Sequence, residues 1–256
     1  MVRHLAYPGG HFVLNRPLIM GVLNVTPDSF SDGGRWMDPG RAVAHGLRMR
    51  REGADILDVG GESTRPGARE VPAREELRRI LPVIERLVRA EVIVSVDTRK
   101  SSVARAALQA GAKILNDVGG LRDPAMGRVA ARSGAAVILM HMEGTPRTMQ
   151  RRPRYRDVVE EILKFFQKNL KRALRGGISR DRIVLDPGIG FGKLPEHNLE
   201  ILRRLREFRR LGQPLMIGTS RKSFIGHALG RPVEDRLWGT AATVAASVLR
   251  GADIVR

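Results

Sequence analysis

The chain has 256 residues, of which 42% are apolar and 28% charged, a length and composition that suit one large globular domain and exclude an intrinsically disordered chain. It contains no cysteine, which excludes disulfides, cysteine metal sites and thiol catalysis. The net charge of +18 is spread along helical stretches and only 4% of the residues are aromatic, so we expect a solvated basic surface and no nucleic-acid partner.

The N-terminal residues 1–15 form an extension ahead of the first predicted strand, and a hairpin is one conformation open to them. They lack the apolar core of a signal peptide. No apolar run elsewhere in the chain approaches the ~20 residues that cross a membrane. We therefore expect a cytoplasmic protein with no membrane contact.

Short apolar runs follow at regular intervals, and each is predicted to be a strand. Several come directly after a helical segment that ends in Gly-Ala, such as Gly53-Ala54. Glycine suits the left-handed end of a helix, and the β-branched run after it suits a strand buried on both faces. The predicted strands are residues 18–24, 55–59, 92–97, 113–117, 136–141, 182–186, 214–218 and 252–256.

Amphipathic helical segments, such as residues 73–89 and 155–174, separate these strands. Eight alternations of strand and helix predict an α/β fold, a single (β/α)8 TIM barrel over residues 1–256. An open doubly wound sheet is the alternative, which the lack of Gly-x-Gly-x-x-Gly after the first strand weakens. The eighth helix of a barrel is missing from the sequence, and we expect the natural chain to continue beyond Arg256.

Most of the predicted strands end in a side chain that can bind or react. In a barrel these strand ends lie on one rim, where active sites of this fold are found. The residues are Asn24, Asp58, Asp97, Asn116, His141, Asp186 and Arg256. Any one of them can be a loop or helix cap, but together they predict an active site.

Two long loops after the first and second strands, residues 24–34 and 60–67, are rich in Gly, Ser and Pro, which suits lids over a substrate. Together with later motifs they resemble the dihydropteroate synthase family, in order from about residue 18 to residue 256. The later motifs are SVDT around Asp97, ND at Asn116, LMHM around Met140, LDPGIGFGK at residues 185–193 and GTSRKS around Ser220 and Lys222.

The resemblance implies a transferase of folate biosynthesis. The family joins (7,8-dihydropterin-6-yl)methyl diphosphate to 4-aminobenzoate and releases diphosphate, by a dissociative route with Mg²⁺. It also implies competitive inhibition by sulfonamides and a homodimer packed through the late helices. The rim shows no activated nucleophile, so we expect catalysis to come from stabilisation of the leaving anion and from positioning.

The resemblance also implies a pterin site with Met140 and Phe191 beside the ring, although core packing explains these two equally well. A carboxylate can accept the parallel hydrogen bonds of the pterin amino and N3–H edge, while Lys222 can donate to the ring carbonyl and keep a nearby carboxylate ionised. We expect His141 to be structural. The residues implied to bind the pterin are Asp97, Asn116, Asp186 and Lys222.

For the other substrate groups, the resemblance implies Asn24 as a ligand of Mg²⁺, which prefers oxygen. Arg256, with Thr64, is implied to contact diphosphate, because a guanidinium can bind phosphate through two hydrogen bonds. In the family a histidine that also contacts phosphate follows two residues later, and we expect it in the natural chain. The residues implied for the aminobenzoate side are Phe30, Thr64, Arg65 and Pro66, together with Ser220 and Lys222.

Two other functions fit parts of the sequence. A reduced-folate methyltransferase of the same pterin-binding barrel family would keep Asp97, Asn116 and Asp186, but it would not need the Ser-Thr-Arg-Pro-Gly or Ser-Arg-Lys-Ser motifs that this chain contains. A non-catalytic RNA-binding barrel would need arginine clusters interleaved with aromatic residues, and that pattern is missing.

Overall fold

Parallel strands and helices alternate along the chain in this computed structural model, which describes residues 3–26, 38–63, 67–68, 70–151 and 153–256. The strands are β1 (His4–Tyr7), β2 (Gly10–Val13), β3 (Leu18–Asn24), β4 (Ile56–Gly60), β5 (Val94–Asp97), β6 (Ile114–Asp117), β7 (Ala136–Met140), β8 (Ile183–Asp186), β9 (Met216–Ile217) and β10 (Ile254–Val255). The helices are α1 (Pro39–Arg51), α2 (Ala73–Arg89), α3 (Ser101–Gln109), α4 (Pro124–Ser133), α5 (Val158–Arg175), α6 (Pro195–Arg203), α7 (Ser223–Leu229) and α8 (Leu237–Leu249).

Strands β3 to β10 form one parallel sheet that closes on itself. The hydrogen-bonded order is β8-β7-β6-β5-β4-β3-β10-β9 in an 8-stranded sheet. A parallel bridge between Leu185 and Leu215 then joins β8 to the start of β9. This closure confirms the predicted TIM barrel and excludes the open doubly wound sheet, whose outer strands would stay apart.

Successive residues of the barrel strands face opposite layers, as the period of a strand requires. Leu57, Leu115 and Leu139 pack outward against the helices, whereas Ile56 and Ile114 fill the barrel interior. Both layers are buried, so the strands are mainly apolar and their polar residues lie mostly towards the strand ends. Such a barrel has a packed centre, which leaves the rim as the place for a binding site.

The N-terminal extension forms an antiparallel hairpin of β1 and β2, with Leu5 opposite Phe12. Leu5 is fully buried and packs with Leu14 on the apolar cluster inside the barrel, and Tyr7 and Phe12 lie against the same cluster. The hairpin therefore covers the base of the barrel, opposite to the rim on which the strands end.

Aspartate caps explain where several helices begin. Asp38, Asp123 and Asp157 precede α1, α4 and α5, and each side chain accepts a hydrogen bond from a backbone N–H of the first turn. Such caps satisfy N–H groups that have no partner within the helix. Proline follows the cap in α1 and α4, where its fixed φ angle suits the first helical position.

Helix α8 has the sequence LWGTAATVAASVL, which contains no charged residue. It leaves Leu237, Trp238 and Leu249 exposed, with Trp238 82% accessible. Across the described ranges, none of the helices combines the length and apolar character needed to cross a membrane. The apolar surface of α8 therefore needs another explanation.

Candidate active site

The register of the barrel strands brings the polar strand ends side by side. Gly60 pairs with Asp97 and Asp97 pairs with Asn116 across β4, β5 and β6, while Met140 pairs with Asp186 across β7 and β8. The carboxyl ends of all these strands face one mouth of the barrel, as the sequence predicted.

An ion-pair cluster occupies one side of this mouth. Arg256 donates from Nε to Asp58 Oδ2 and from Nη2 to Asp97 Oδ2, each at 2.7 Å. Asn116 Nδ2 donates to the same Asp58 oxygen at 2.9 Å. Asp58 is thus a member of the site to which sequence reasoning assigned only a place on the rim. Its position at the end of a strand was the signal that could have shown it.

Three oxygens in this cluster are buried without a hydrogen-bond partner among the described residues, namely Asp58 Oδ1, Asp97 Oδ1 and Asn116 Oδ1. A buried polar atom left unpaired costs roughly 1–3 kcal/mol, and such atoms in a native protein call for an explanation. All three can accept hydrogen bonds. Together they suit a ligand whose edge carries several N–H donors.

Two opposing effects act on the pKa of Asp97. Burial raises the pKa of Asp97 to about 7, and the nearby carboxylates of Asp58 and Glu76 raise it further, while Arg256 opposes the shift. A carboxyl group with this pKa changes its charge close to neutral pH, so we expect ligand binding at this position to depend on pH.

Asp186 and Lys222 form the other side of the mouth. Asp186 Oδ1 accepts a hydrogen bond from Gly188 N at 2.8 Å, and burial raises the pKa of Asp186 while Lys222 opposes that effect. Burial lowers the pKa of Lys222 to about 8, against the attraction of Asp186. The Lys222 ammonium donates to the carbonyl of Ile189, so the two charged groups lie around one loop.

That loop, residues 187–193, is called the glycine loop below. Its glycines Gly188, Gly190 and Gly192 have φ angles of +71°, +81° and +63°, which other residues adopt only with strain. A side chain at Gly188 would also overlap the carbonyl oxygen of His141. Glycine at these positions lets the loop lie tightly against the segment that follows β7.

The glycine loop and β7 also supply the apolar wall of the mouth. The half-buried Phe191 ring has its centroid 4.8 Å from Lys222 Nζ. It packs on a small cluster that includes the buried Met140, Met142 and Met149. Phe191 therefore lies beside the charged groups of the site. Met140 is buried in the apolar cluster and also contributes to the wall of the mouth.

Asn24, at the end of β3, is placed on the Asp97 side of the mouth. A side chain added at Gly60 would meet both Asn24 Oδ1 and Asp97 Cβ at 3.5 Å, so Gly60 leaves open the space between these two residues. In the described parts of the chain no group of three or more His, Asp or Glu side chains is arranged to hold a metal ion. The amide oxygen of Asn24 is the metal ligand that the sequence predicted.

Ser220 lies farther out than the buried cluster. It is exposed in the turn between β9 and α7, next to Arg221, whose φ angle is +50°. Arg221 N donates to Thr240 Oγ1 at 2.9 Å and its carbonyl accepts from Arg236 Nη1 at 3.2 Å. These contacts hold the turn that presents Ser220 and Lys222 to the mouth.

Ion pairs of Glu62 hold the start of the second long loop in place. The Glu62 carboxylate accepts hydrogen bonds from Arg99 at 2.8 Å and from Lys100. Lys100 also donates to the fully buried Glu76 at 2.6 Å. The predicted site residues Phe30, Thr64, Arg65 and Pro66 lie outside the described residues.

His141 is buried and lies against the glycine loop, close to Gly188. Its Nδ1 lies 3.0 Å from Lys193 Nζ, and its ring packs edge-to-face on Phe165 with the centroids 4.9 Å apart. Burial and the charge of Lys193 hold the pKa of His141 well below its ordinary value. This surrounding agrees with the structural role expected for His141, and it introduces Lys193, to which sequence reasoning assigned no role.

Comparison with known proteins places the chain among relatives. Residues 20–256 match the family model described as "Pterin binding enzyme". The chain is 47% identical over 244 residues to the dihydropteroate synthase of Escherichia coli K12, covering 95% of this chain and 86% of that protein.

Solved structures agree in fold. The structure of Yersinia pestis dihydropteroate synthase with a sulfonamide drug complex superposes with a TM-score of 0.95 at 44% identity, covering 99% of this chain and 92% of that one. Xanthomonas albilineans dihydropteroate synthase with 4-aminobenzoic acid gives a TM-score of 0.93 at 46% identity, covering 100% and 92%. The similarity therefore extends over the whole barrel.

Proposed function

This chain belongs to the pterin binding enzyme family, and on that premise we propose that its barrel mouth joins (7,8-dihydropterin-6-yl)methyl diphosphate to 4-aminobenzoate, giving 7,8-dihydropteroate and diphosphate. This is the reaction of the dihydropteroate synthases that it matches, and it makes the chain a transferase of folate biosynthesis. The single observation that carries the proposal is the set of unpartnered oxygens on Asp58, Asp97 and Asn116. The methyltransferase alternative is set aside, because the relatives that match most of the chain are dihydropteroate synthases.

The pterin ring is proposed to lie between the two sides of the mouth. Asp186 accepts the hydrogen bonds of the 2-amino and N3–H edge, Asn116 and Asp97 accept from the other amino hydrogen and the ring N8–H, and Lys222 donates to the ring carbonyl. Hydrogen bonds to charged groups contribute roughly 1.5–3 kcal/mol each. Met140 and Phe191 line the faces of the ring, so that it is held flat and out of water.

The reaction is proposed to begin with the departure of diphosphate. The C–O bond of the methylene group breaks, and its electron pair leaves with diphosphate. The cation that remains is delocalised into the pterin ring, beside the negative charge of Asp97. The nitrogen lone pair of 4-aminobenzoate then forms the new C–N bond, and the resulting ammonium releases its proton to solvent. The residues act by positioning and by electrostatic stabilisation.

The diphosphate is proposed to contact Arg256 and Thr64. Arg256 keeps its positive charge, because Asp58 and Asp97 raise its pKa against the effect of burial. The two carboxylates also fix the guanidinium at the mouth through the 2.7 Å hydrogen bonds. A cation held in this way stabilises the leaving anion without having to be ordered during the reaction.

Magnesium is proposed as the cofactor, with Asn24 as its ligand. The neutral amide oxygen suits a hard cation that keeps several waters and binds substrate phosphates, and Gly60 leaves space beside Asn24 Oδ1. When bound, Mg²⁺ supplies positive charge that neutralises the leaving diphosphate. Removal of the ion with a chelator is expected to abolish diphosphate release, and addition of Mg²⁺ is expected to restore it.

The aminobenzoate side is proposed to use Phe30, Thr64, Arg65 and Pro66 with Ser220. Ser220 is exposed on the outer rim, where a second substrate can approach after the pterin has filled the deeper position. We expect ordered binding with the pterin first. Sulfonamides, which are similar to aminobenzoate in shape and charge, are expected to compete at this position.

A homodimer in the cytoplasm is proposed as the working form. Helix α8 carries no charge and leaves Leu237, Trp238 and Leu249 exposed, and apolar patches of this kind mark contact surfaces. A second copy of this chain is the partner that the family resemblance implies. The mouth opens at the strand ends, so both sites would remain accessible.

The function is tested by an assay of diphosphate release with each substrate omitted in turn. We expect dihydropteroate and diphosphate to form in equal amounts when both substrates and Mg²⁺ are present. Without 4-aminobenzoate no dihydropteroate forms, and without the pterin substrate no diphosphate forms. Failure to make dihydropteroate under these conditions would refute the proposed function.

A further inference from the structure

Lys193 is a buried lysine that the proposed reaction does not use. Its side chain is only 3% exposed. Its Nζ lies 2.9 Å from the carbonyl oxygen of Phe191, 3.0 Å from His141 Nδ1 and 3.4 Å from the His141 carbonyl oxygen. Burying an ammonium is costly unless its hydrogen bonds are made. The burial of Lys193 therefore suggests that its contacts serve the structure or the function of the protein.

The contacts of Lys193 join two parts of the chain. The Phe191 carbonyl belongs to the glycine loop, while His141 follows β7. Lys193 therefore connects the glycine loop to the segment that follows β7.

The front of the same loop holds Lys222. The Ile189 carbonyl accepts a hydrogen bond from Lys222 Nζ, and the Phe191 ring lies 4.8 Å from that atom. Asp186, at the start of the loop, accepts from Gly188 N. A displacement of the loop would therefore move both charged groups of the pterin site.

Lys193 also acts on Asp186 through charge. Three positive groups oppose the rise in the pKa of Asp186 that burial causes, and they are Lys222, Arg256 and Lys193. The other groups that face Lys193 are Lys222 and the carboxylate of Glu143, and the neutral ring of His141 accepts through Nδ1. Loss of Lys193 leaves Asp186 with one positive neighbour fewer.

We propose that Lys193 is a positioning residue for pterin recognition, which holds the glycine loop so that Asp186 and Lys222 keep their arrangement without itself touching the substrate. This inference rests on the proposed function, because it concerns the same site. It predicts an effect on the pterin substrate and a much smaller one on 4-aminobenzoate.

A matched control is a residue that contacts the same loop. Tyr155 OH donates to the carbonyl of Gly192 at 2.8 Å, so Tyr155→Phe removes one anchor of the loop without changing any charge. The exposed Lys168 on α5 provides a second control, because Lys168→Met removes an exposed charge on a helix outside the loop.

The experiment measures the Kd of the pterin substrate by calorimetry, the KM of each substrate and the pH dependence of pterin binding. For Lys193→Met we expect the pterin Kd and KM to rise at least about tenfold, equivalent to about 1.4 kcal/mol, and the aminobenzoate KM to change less than about threefold. The acidic limb of pterin binding moves to higher pH, since Asp186 binds its proton more readily. Lys193→Arg restores the position of that limb, and Tyr155→Phe leaves it unchanged.

Three outcomes would overturn the inference: an unchanged pterin Kd in folded Lys193→Met, equal losses for both substrates, or an acidic limb that stays in place. If Lys193→Met does not fold, Lys193→Gln, which keeps an N–H donor and lacks the charge, is judged by the same criteria. If the native enzyme does not bind the pterin substrate at all, the proposed function fails. If the native enzyme binds it and the Lys193 variants bind equally well, only this inference fails.

Discussion

At the residue scale, the mouth places its acidic and basic groups so that burial and ion pairing oppose each other. Asp97 gains its raised pKa from burial, although Arg256 lies 2.7 Å away. Lys222 has a lowered pKa for the same reason, although Asp186 is nearby. Both groups therefore titrate within the range in which an enzyme works, which is typical of functional sites.

The pterin affinity is expected to be greatest between the two pKa values. Below about pH 7 Asp97 is protonated and loses its charge-assisted hydrogen bond, and protonation of Asp186, whose pKa burial also raises, contributes to the same acidic limb. Above about pH 8 Lys222 loses its positive charge. Calorimetric titration with the pterin substrate from about pH 5 to about pH 10 measures both limbs. Lys222→Arg is expected to remove the alkaline limb only. An affinity that does not change across this range would contradict the assignment.

Asp186→Ala is expected to weaken pterin binding by roughly 3–6 kcal/mol, because two charge-assisted hydrogen bonds of about 1.5–3 kcal/mol each are lost. This corresponds to a Kd higher by about two to four orders of magnitude. Asp181→Ala is the control, since Asp181 is exposed and lies two residues before β8 begins, whereas Asp186 lies where β8 ends. Similar pterin Kd values for the two variants would show that the pterin lies elsewhere.

At the element scale, the glycine loop is the part of the barrel whose backbone depends most strictly on sequence. The alternation of glycine at 188, 190 and 192 was visible in the sequence as a motif, but its reason is tertiary. The loop needs left-handed φ angles and also has no room for a side chain at Gly188, because the backbone that follows β7 lies against it.

Gly188→Ala is therefore expected to be more harmful than Gly212→Ala. Both glycines have nearly the same φ angle, +71° and +72°, so both substitutions incur the left-handed strain of about 1–2 kcal/mol. A side chain at Gly212 meets no atom within 4 Å, whereas one at Gly188 adds an overlap that costs about 1–3 kcal/mol. Chemical denaturation measures the difference, and equal free energies of unfolding would disprove the packing argument.

Some element boundaries differ from the predicted ones. The strand predicted at 92–97 begins at Val94, and the strand predicted at 214–218 is reduced to Met216–Ile217. An apolar run shows which residues are buried, but strand ends are set by the hydrogen-bond partners that neighbouring strands supply. The segment between β9 and β10 is likewise divided into α7 and α8, which no local pattern had predicted.

At the scale of the whole molecule, α8 presents exposed apolar side chains that do not pack against the rest of the barrel. Trp238→Arg is expected to convert a dimer into a monomer, because it places a charge in the centre of the proposed contact. Light scattering should give twice 28.3 kDa for the native chain and 28.3 kDa for the variant. Val13→Arg, on the hairpin at the base of the barrel, should leave the dimer intact. A native mass of one chain would refute the proposed dimer.

The sequence by itself determined the barrel and most of its rim, because strand periodicity and strand-end residues are local properties. The family resemblance added roles for Asp97, Asn116, Asp186 and Lys222, which the structure brings to one mouth. Only the tertiary structure decided that Arg256 binds Asp58 and Asp97, which precede it by 198 and 159 positions, and that Lys193 Nζ lies 3.0 Å from His141 Nδ1. Such pairings depend on closure of the barrel, which brings the last strand beside the first, and no local pattern contains that information.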